Sequence, residues 1–67
     1  METNLHSPER QLIELRMEHA DLDAMIDRVD LQQPLDELMM RRLKKRRLHL
    51  RDLIARFELA LDPKEPA

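Results

Sequence analysis

Two apolar stripes on either side of a central proline constrain the fold of this chain most. The first stripe consists of Leu12, Leu15, Leu22, Ile26 and Val29. The second stripe consists of Leu43, Leu50, Ile54, Phe57 and Leu61. Both stripes step by 3 and 4 residues, once His19 and Arg47 are counted at the one position where each stripe lacks an apolar residue. This spacing is that of a coiled-coil seam, so the stripes predict two helices that pack against each other.

The composition also favours an all-α fold. The 67 residues include no Gly, and Phe57 is the one aromatic residue, which argues against strands and tight hairpin turns. We therefore expect an antiparallel two-helix hairpin that resembles a coiled coil. A chain this short buries little apolar surface and has no Cys for a disulfide, so we expect it to associate into a dimer or a higher helical bundle.

Capping signals and prolines predict the bounds of the two helices within one domain, residues 1–67. Ser7 and Pro8 favour a helix from about 8 to 30, because Ser caps free N–H groups and Pro suits the first helical position. By the same rule Pro34 favours a second helix from about 34 to 61, after a turn at about 31–33. We expect flexible tails at 1–6 and 62–67.

The sequence gives no sign of a membrane or a secretory route. No run approaches the roughly 18 apolar residues of a membrane span, and the polar start does not resemble a signal peptide. The absence of Cys agrees with a reducing compartment. We expect a cytoplasmic protein without a membrane anchor.

The two polar residues within the stripes predict a polar layer in the seam. His19 and Arg47 occupy the gaps, and Asp23 lies one helical turn beyond His19. These residues are compatible with a metal or proton-transfer site, but a layer that fixes register and oligomeric state is the favoured interpretation. His19 and Asp23 supply only two metal ligands, and Ser7 is the one serine, so we expect no cofactor, no metal and no catalytic set. Residues 26–30 have a passing likeness to the all-helical chorismate mutases, which keeps an enzyme as a minor alternative.

A basic run in the second helix raises the alternative of nucleic-acid binding. Residues 41–47 contain six bases, and the predicted contacts would come from Arg41, Arg42, Lys44, Lys45 and Arg46. However, residues 1–37 hold ten acids and three bases, whereas residues 38–67 hold four acids and nine bases. Because the first helix can neutralise the second and no aromatic residue lies within the run, a solvated and internally paired face is the favoured interpretation.

Each helix carries a second apolar line besides its seam, and the line of the second helix lies opposite its seam. We call these lines the outer faces. The outer face of the first helix contains Ile13, Met17, Ala20 and Ala24. The outer face of the second helix contains Leu38, Leu48, Ala55 and Leu59. One hairpin cannot bury both seam stripes and both outer faces. The outer faces therefore predict a surface for another copy or for an unidentified protein partner.

Two short motifs resemble a known family. Residues 19–26 fit the pattern H-x-x-L-D-x-x-I, and residues 43–52 fit L-K-x-x-[KR]-L-x-L-[KR]-D. In this order and at this separation they resemble the YdcH-like family of short bacterial proteins, which is similar in character to the SlyX-like helical proteins. The resemblance covers about residues 12 to 58 and implies a small bacterial helical hairpin without an established activity.

Overall fold

The computed structural model describes residues 7–61, which form two helices and their connection. The predicted tails at 1–6 and 62–67 lie outside the described residues. The first helix, α1, spans Pro8–Asp30. Its start is fixed by Ser7, whose hydroxyl oxygen accepts a hydrogen bond from the Arg10 backbone N–H at 3.2 Å. At its other end the backbone N–H groups of Leu31 and Gln32 donate to the carbonyls of Arg28 and Val29.

The second helix, α2, spans Glu37–Leu61 and begins three residues later than Pro34, where the sequence placed it. Asp36 explains the difference. Its side-chain oxygen accepts a hydrogen bond from the Met39 N–H at 3.0 Å, and its carbonyl accepts one from the Met40 N–H at 3.0 Å. A carboxylate in the capping position satisfies free N–H groups of the first turn, which Pro34 cannot do. The connection therefore covers residues 31–36, and Asp36 precedes the first turn that it was expected to join.

The core lies along the seam between α1 and α2 and is densest toward the connection. The buried cluster consists of Leu22, Ile26, Val29, Met40 and Leu50, with Leu15 and Leu43 packed against it. Toward the open end Leu12 is also buried, whereas Ile54, Phe57 and Leu61 are half-buried. Leu50 is the most enclosed side chain of the described residues, at 2% exposure.

This arrangement confirms the predicted all-α helical hairpin, since the described residues contain two helices in contact and no strand. Met40 was not among the predicted seam residues. Its position follows the seam spacing, because Met40 precedes Leu43 by 3 residues, so one more backward step along the stripe would have found it. Neither described helix has the length and apolarity that crossing a membrane requires.

Candidate functional site

The predicted polar layer comes together around one carboxylate. Arg47 on α2 donates from Nη1 to Asp23 Oδ1 on α1 at 2.9 Å, and His19 Nδ1 lies 3.4 Å from Asp23 Oδ2. Asp23 thus lies between the histidine of its own helix and the arginine of the other helix. Sliding either helix by a turn would separate Arg47 from Asp23, so these contacts agree with a layer that specifies the register.

The histidine of this layer is the most enclosed of its three side chains. The His19 side chain is 23% exposed, and its Nε2 atom is buried without a hydrogen-bond partner among the described residues. A buried nitrogen without a partner costs stability compared with an apolar atom in the same place. An apolar residue at position 19 would avoid this cost.

Two further ion pairs flank the seam, and the sequence did not assign either of them. Arg16 Nη2 lies 2.8 Å from Glu58 Oε2, and Arg46 donates to Glu18. At about 100° of rotation per residue, Glu18 and Arg46 lie on one side of the seam. Asp23 and Arg47 lie on the other side, together with the Arg16–Glu58 pair. Consecutive residues Arg46 and Arg47 therefore reach α1 on opposite sides of the seam.

A shallow groove lies beside the polar layer. It has a volume of about 300 Å³ and is lined by Arg16, His19, Arg51, Ile54, Ala55 and Glu58. The one serine of the chain is committed to capping α1. Within residues 7–61 no group of three His, Asp or Glu side chains is placed to hold a metal ion.

The basic run is less neutralised by α1 than the sequence suggested. Of its residues, Arg46 and Arg47 pair with α1 carboxylates. The other four have no acidic partner within residues 7–61, and all four are exposed: Arg41, Arg42, Lys44 and Lys45. The acids Asp21, Asp27 and Asp30 of α1 likewise form no ion pair with the described part of the chain. The hairpin thus presents an excess of acids on α1 and an excess of bases on α2.

The outer faces lie open to solvent along both helices. All eight of their residues are exposed, and the five larger ones keep more than half of their surface accessible, from 53% for Ile13 to 66% for Leu48. Each outer face points away from the other helix of its own hairpin, so the two lie at opposite edges of the molecule.

Together the fold and these surfaces define a short two-helix hairpin with a polar layer in its seam and exposed apolar outer faces. A family model described as a protein of unknown function, DUF465, matches residues 12–58. The chain belongs to this family, and the match covers most of α1 and α2. No curated protein and no solved structure matches the chain.

Proposed function

We propose that this chain is a non-enzymatic interaction module of the bacterial cytoplasm that associates with copies of itself through its outer faces, as a small coiled-coil protein. The proposal rests on the exposure of both outer faces. Five aliphatic side chains with more than half of their surface in water, arranged in two lines rather than scattered, are typical of surfaces that another helix covers.

The energetics of a single hairpin favour the same proposal. Its buried core contains six apolar side chains within the described residues. Such a core stabilises a chain of this length only marginally. Covering an outer face removes further apolar surface from water, at roughly 25 cal/mol per Å². Association would therefore raise the stability of each copy, and the apparent melting temperature should increase with protein concentration.

Sedimentation equilibrium of the full chain at micromolar concentrations tests this proposal. We expect an average mass of at least twice that of one chain, which falls on dilution. A melting temperature that rises with concentration should accompany it. A chain that sediments as a single copy at every concentration and still melts at high temperature would contradict the proposal.

Nucleic-acid binding is the second candidate function, and one observation favours it. Arg41, Arg42, Lys44 and Lys45 are exposed and have no acidic partner among residues 7–61. They lie within about one turn of α2. Because all four side chains are cationic, contacts would be made mainly to phosphates and would weaken steeply with salt. Fluorescence anisotropy with a short duplex at about 50 mM salt tests this candidate, because electrostatic affinity is strongest at low salt. An absence of binding there would exclude this candidate.

A further inference from the structure

Each outer face is longer than its apolar residues alone suggest. On α1 the line of Ile13, Met17, Ala20 and Ala24 continues through Asp27 to Leu31, the residue that follows the helix, in steps of 3 and 4. On α2 the four apolar residues are joined into one line by Arg41, Lys45 and Asp52 at the same spacing. All of these additional residues are exposed. Both outer faces thus have the period that packing against another helix requires.

The charges on these two lines are complementary. Over its helical range α1 holds seven acids and three bases, whereas α2 holds three acids and eight bases. Asp27 on the α1 line and Lys45 on the α2 line each have no ion pair among the described residues. The same is true of Asp30 and Lys44, which lie beside the two lines. Pairing α1 with another α1, or α2 with another α2, would place like charges together.

We propose that the occupant of each outer face is a second copy of this chain, with the outer face of α1 packed antiparallel on the outer face of α2 of the next copy. This inference rests on the proposed self-association and names its geometry. One register brings apolar residues together at three of its six pairs and opposite charges at a fourth, whereas Ala20 meets Asp52 and Leu31 meets Arg41. It places Ile13 against Leu59 and Asp27 against Lys45 of the next copy.

Side-chain size supports the same register. The small Ala24 lies against the large Leu48 of the next copy, and the large Met17 lies against the small Ala55. Alternating large and small residues across an interface allows two helices to interdigitate without voids. Beside the apolar line, Asp30 approaches Lys44 of the next copy, so charges that lack a partner within residues 7–61 of one hairpin gain one between hairpins.

The position of the two faces determines the kind of assembly. Because they differ in sequence and lie at opposite edges of the hairpin, a contact between α1 and α2 of the next copy leaves one face of each kind uncovered. Such a contact is heterologous, so it extends into a chain of hairpins or closes into a ring, rather than ending at a two-fold dimer.

Two matched substitutions test this geometry, each of which blocks one face. Ala24→Arg places a long cation on the α1 face toward the basic α2 of the next copy. Ala55→Glu places a long anion on the α2 face toward the acidic α1. Both positions are exposed in the hairpin, so far-UV circular dichroism should show an unchanged helix content. Ala60→Arg, at an exposed alanine outside both lines, is the control.

We expect each blocked variant alone to associate on the order of a hundredfold more weakly than the wild type, because a buried unpaired charge is costly. An equimolar mixture should form pairs with twice the mass of one chain and nothing larger, since one intact α1 face and one intact α2 face remain. The control should assemble like the wild type.

Three other outcomes overturn this geometry or the association itself. If the wild type associates but either blocked variant assembles equally well alone, the interface lies elsewhere. If both blocked variants dissociate and their mixture remains a single-copy species, α1 does not pack on α2 of the next copy. A wild type that never associates would instead contradict the proposed self-association.

Discussion

The inner seam and the outer faces share the same spacing of 3 and 4 residues, yet one is buried and the other is exposed. On α1 side-chain size distinguishes them, and on α2 the charged residues Arg41, Lys45 and Asp52 interrupt the outer line. On α1 the seam contains leucine, isoleucine and valine, whereas the outer face has alanine at two of its four positions. Within the hairpin the larger stripes meet, because more apolar surface leaves water that way. A repeating pattern thus identifies the faces of a helix, while residue size ranks which face is covered first.

The largest expected difference between the two faces is the response to truncating a leucine. Leu50→Ala in the seam should lower the free energy of unfolding by about 2–5 kcal/mol, because it leaves a cavity beside the most enclosed position of the hairpin. Leu48→Ala on the outer face should change it by less than about 0.5 kcal/mol when measured under dilute, dissociated conditions. Urea denaturation of both variants provides the measurement. Equal losses would show that the hairpin does not distinguish the two faces.

A smaller effect, of opposite sign, is expected where the seam itself is polar. His19→Leu should preserve the free energy of unfolding or raise it by about 1 kcal/mol, because it removes the buried Nε2 that lacks a partner. The cost should appear in specificity. Without the polar layer additional registers or oligomers become accessible, and the sedimentation distribution should broaden.

The control for this variant is Met17→Leu, which changes an exposed residue of the outer face and leaves the seam intact. It should show neither stabilisation of the dissociated hairpin nor mixed registers. If His19→Leu unfolds the chain without any mixed assembly, His19 is an indispensable part of the network with Asp23 and Arg47. The register-specifying role would then be wrong.

The smallest expected effect concerns a charge beside the outer face of α1. In the proposed register Arg28 approaches Arg42 of the next copy, so Arg28→Glu should tighten association severalfold. Asp30→Lys, which places a second cation near Lys44, should weaken it by a similar factor. Both differences should shrink at high salt because exposed charges are screened. Sedimentation at two ionic strengths measures them, and parallel changes in both variants would contradict the register.

The sequence predicted the all-α hairpin because its period is repeated over several turns on both sides of the connection. It placed the start of α2 at Pro34, because proline suits the first position of a helix. In the structure Asp36 caps the helix instead, since its carboxylate accepts a hydrogen bond from the Met39 N–H in the first turn. The exposure of the outer faces followed from their angle to the seam. The ion-pair partners were harder to predict. The rotation of each helix about its own axis determines whether Arg46 or Arg47 lies near Glu18 or near Asp23. A linear pattern does not fix that rotation to within one side chain.

The ion pairs on the two sides of the seam have a mechanical consequence. The interdigitated apolar side chains of the seam resist rolling of one helix over the other, and the ion pairs on its two sides add to that resistance. Arg46 with Glu18 ties the helices on one side, and Arg47 with Asp23 ties them on the other. Rolling of one helix over the other in either direction lengthens one of these two ion pairs. Each pair therefore opposes the rotation that the other pair allows. Together with the packed seam, two adjacent arginines thereby help to fix the angle at which both outer faces are presented.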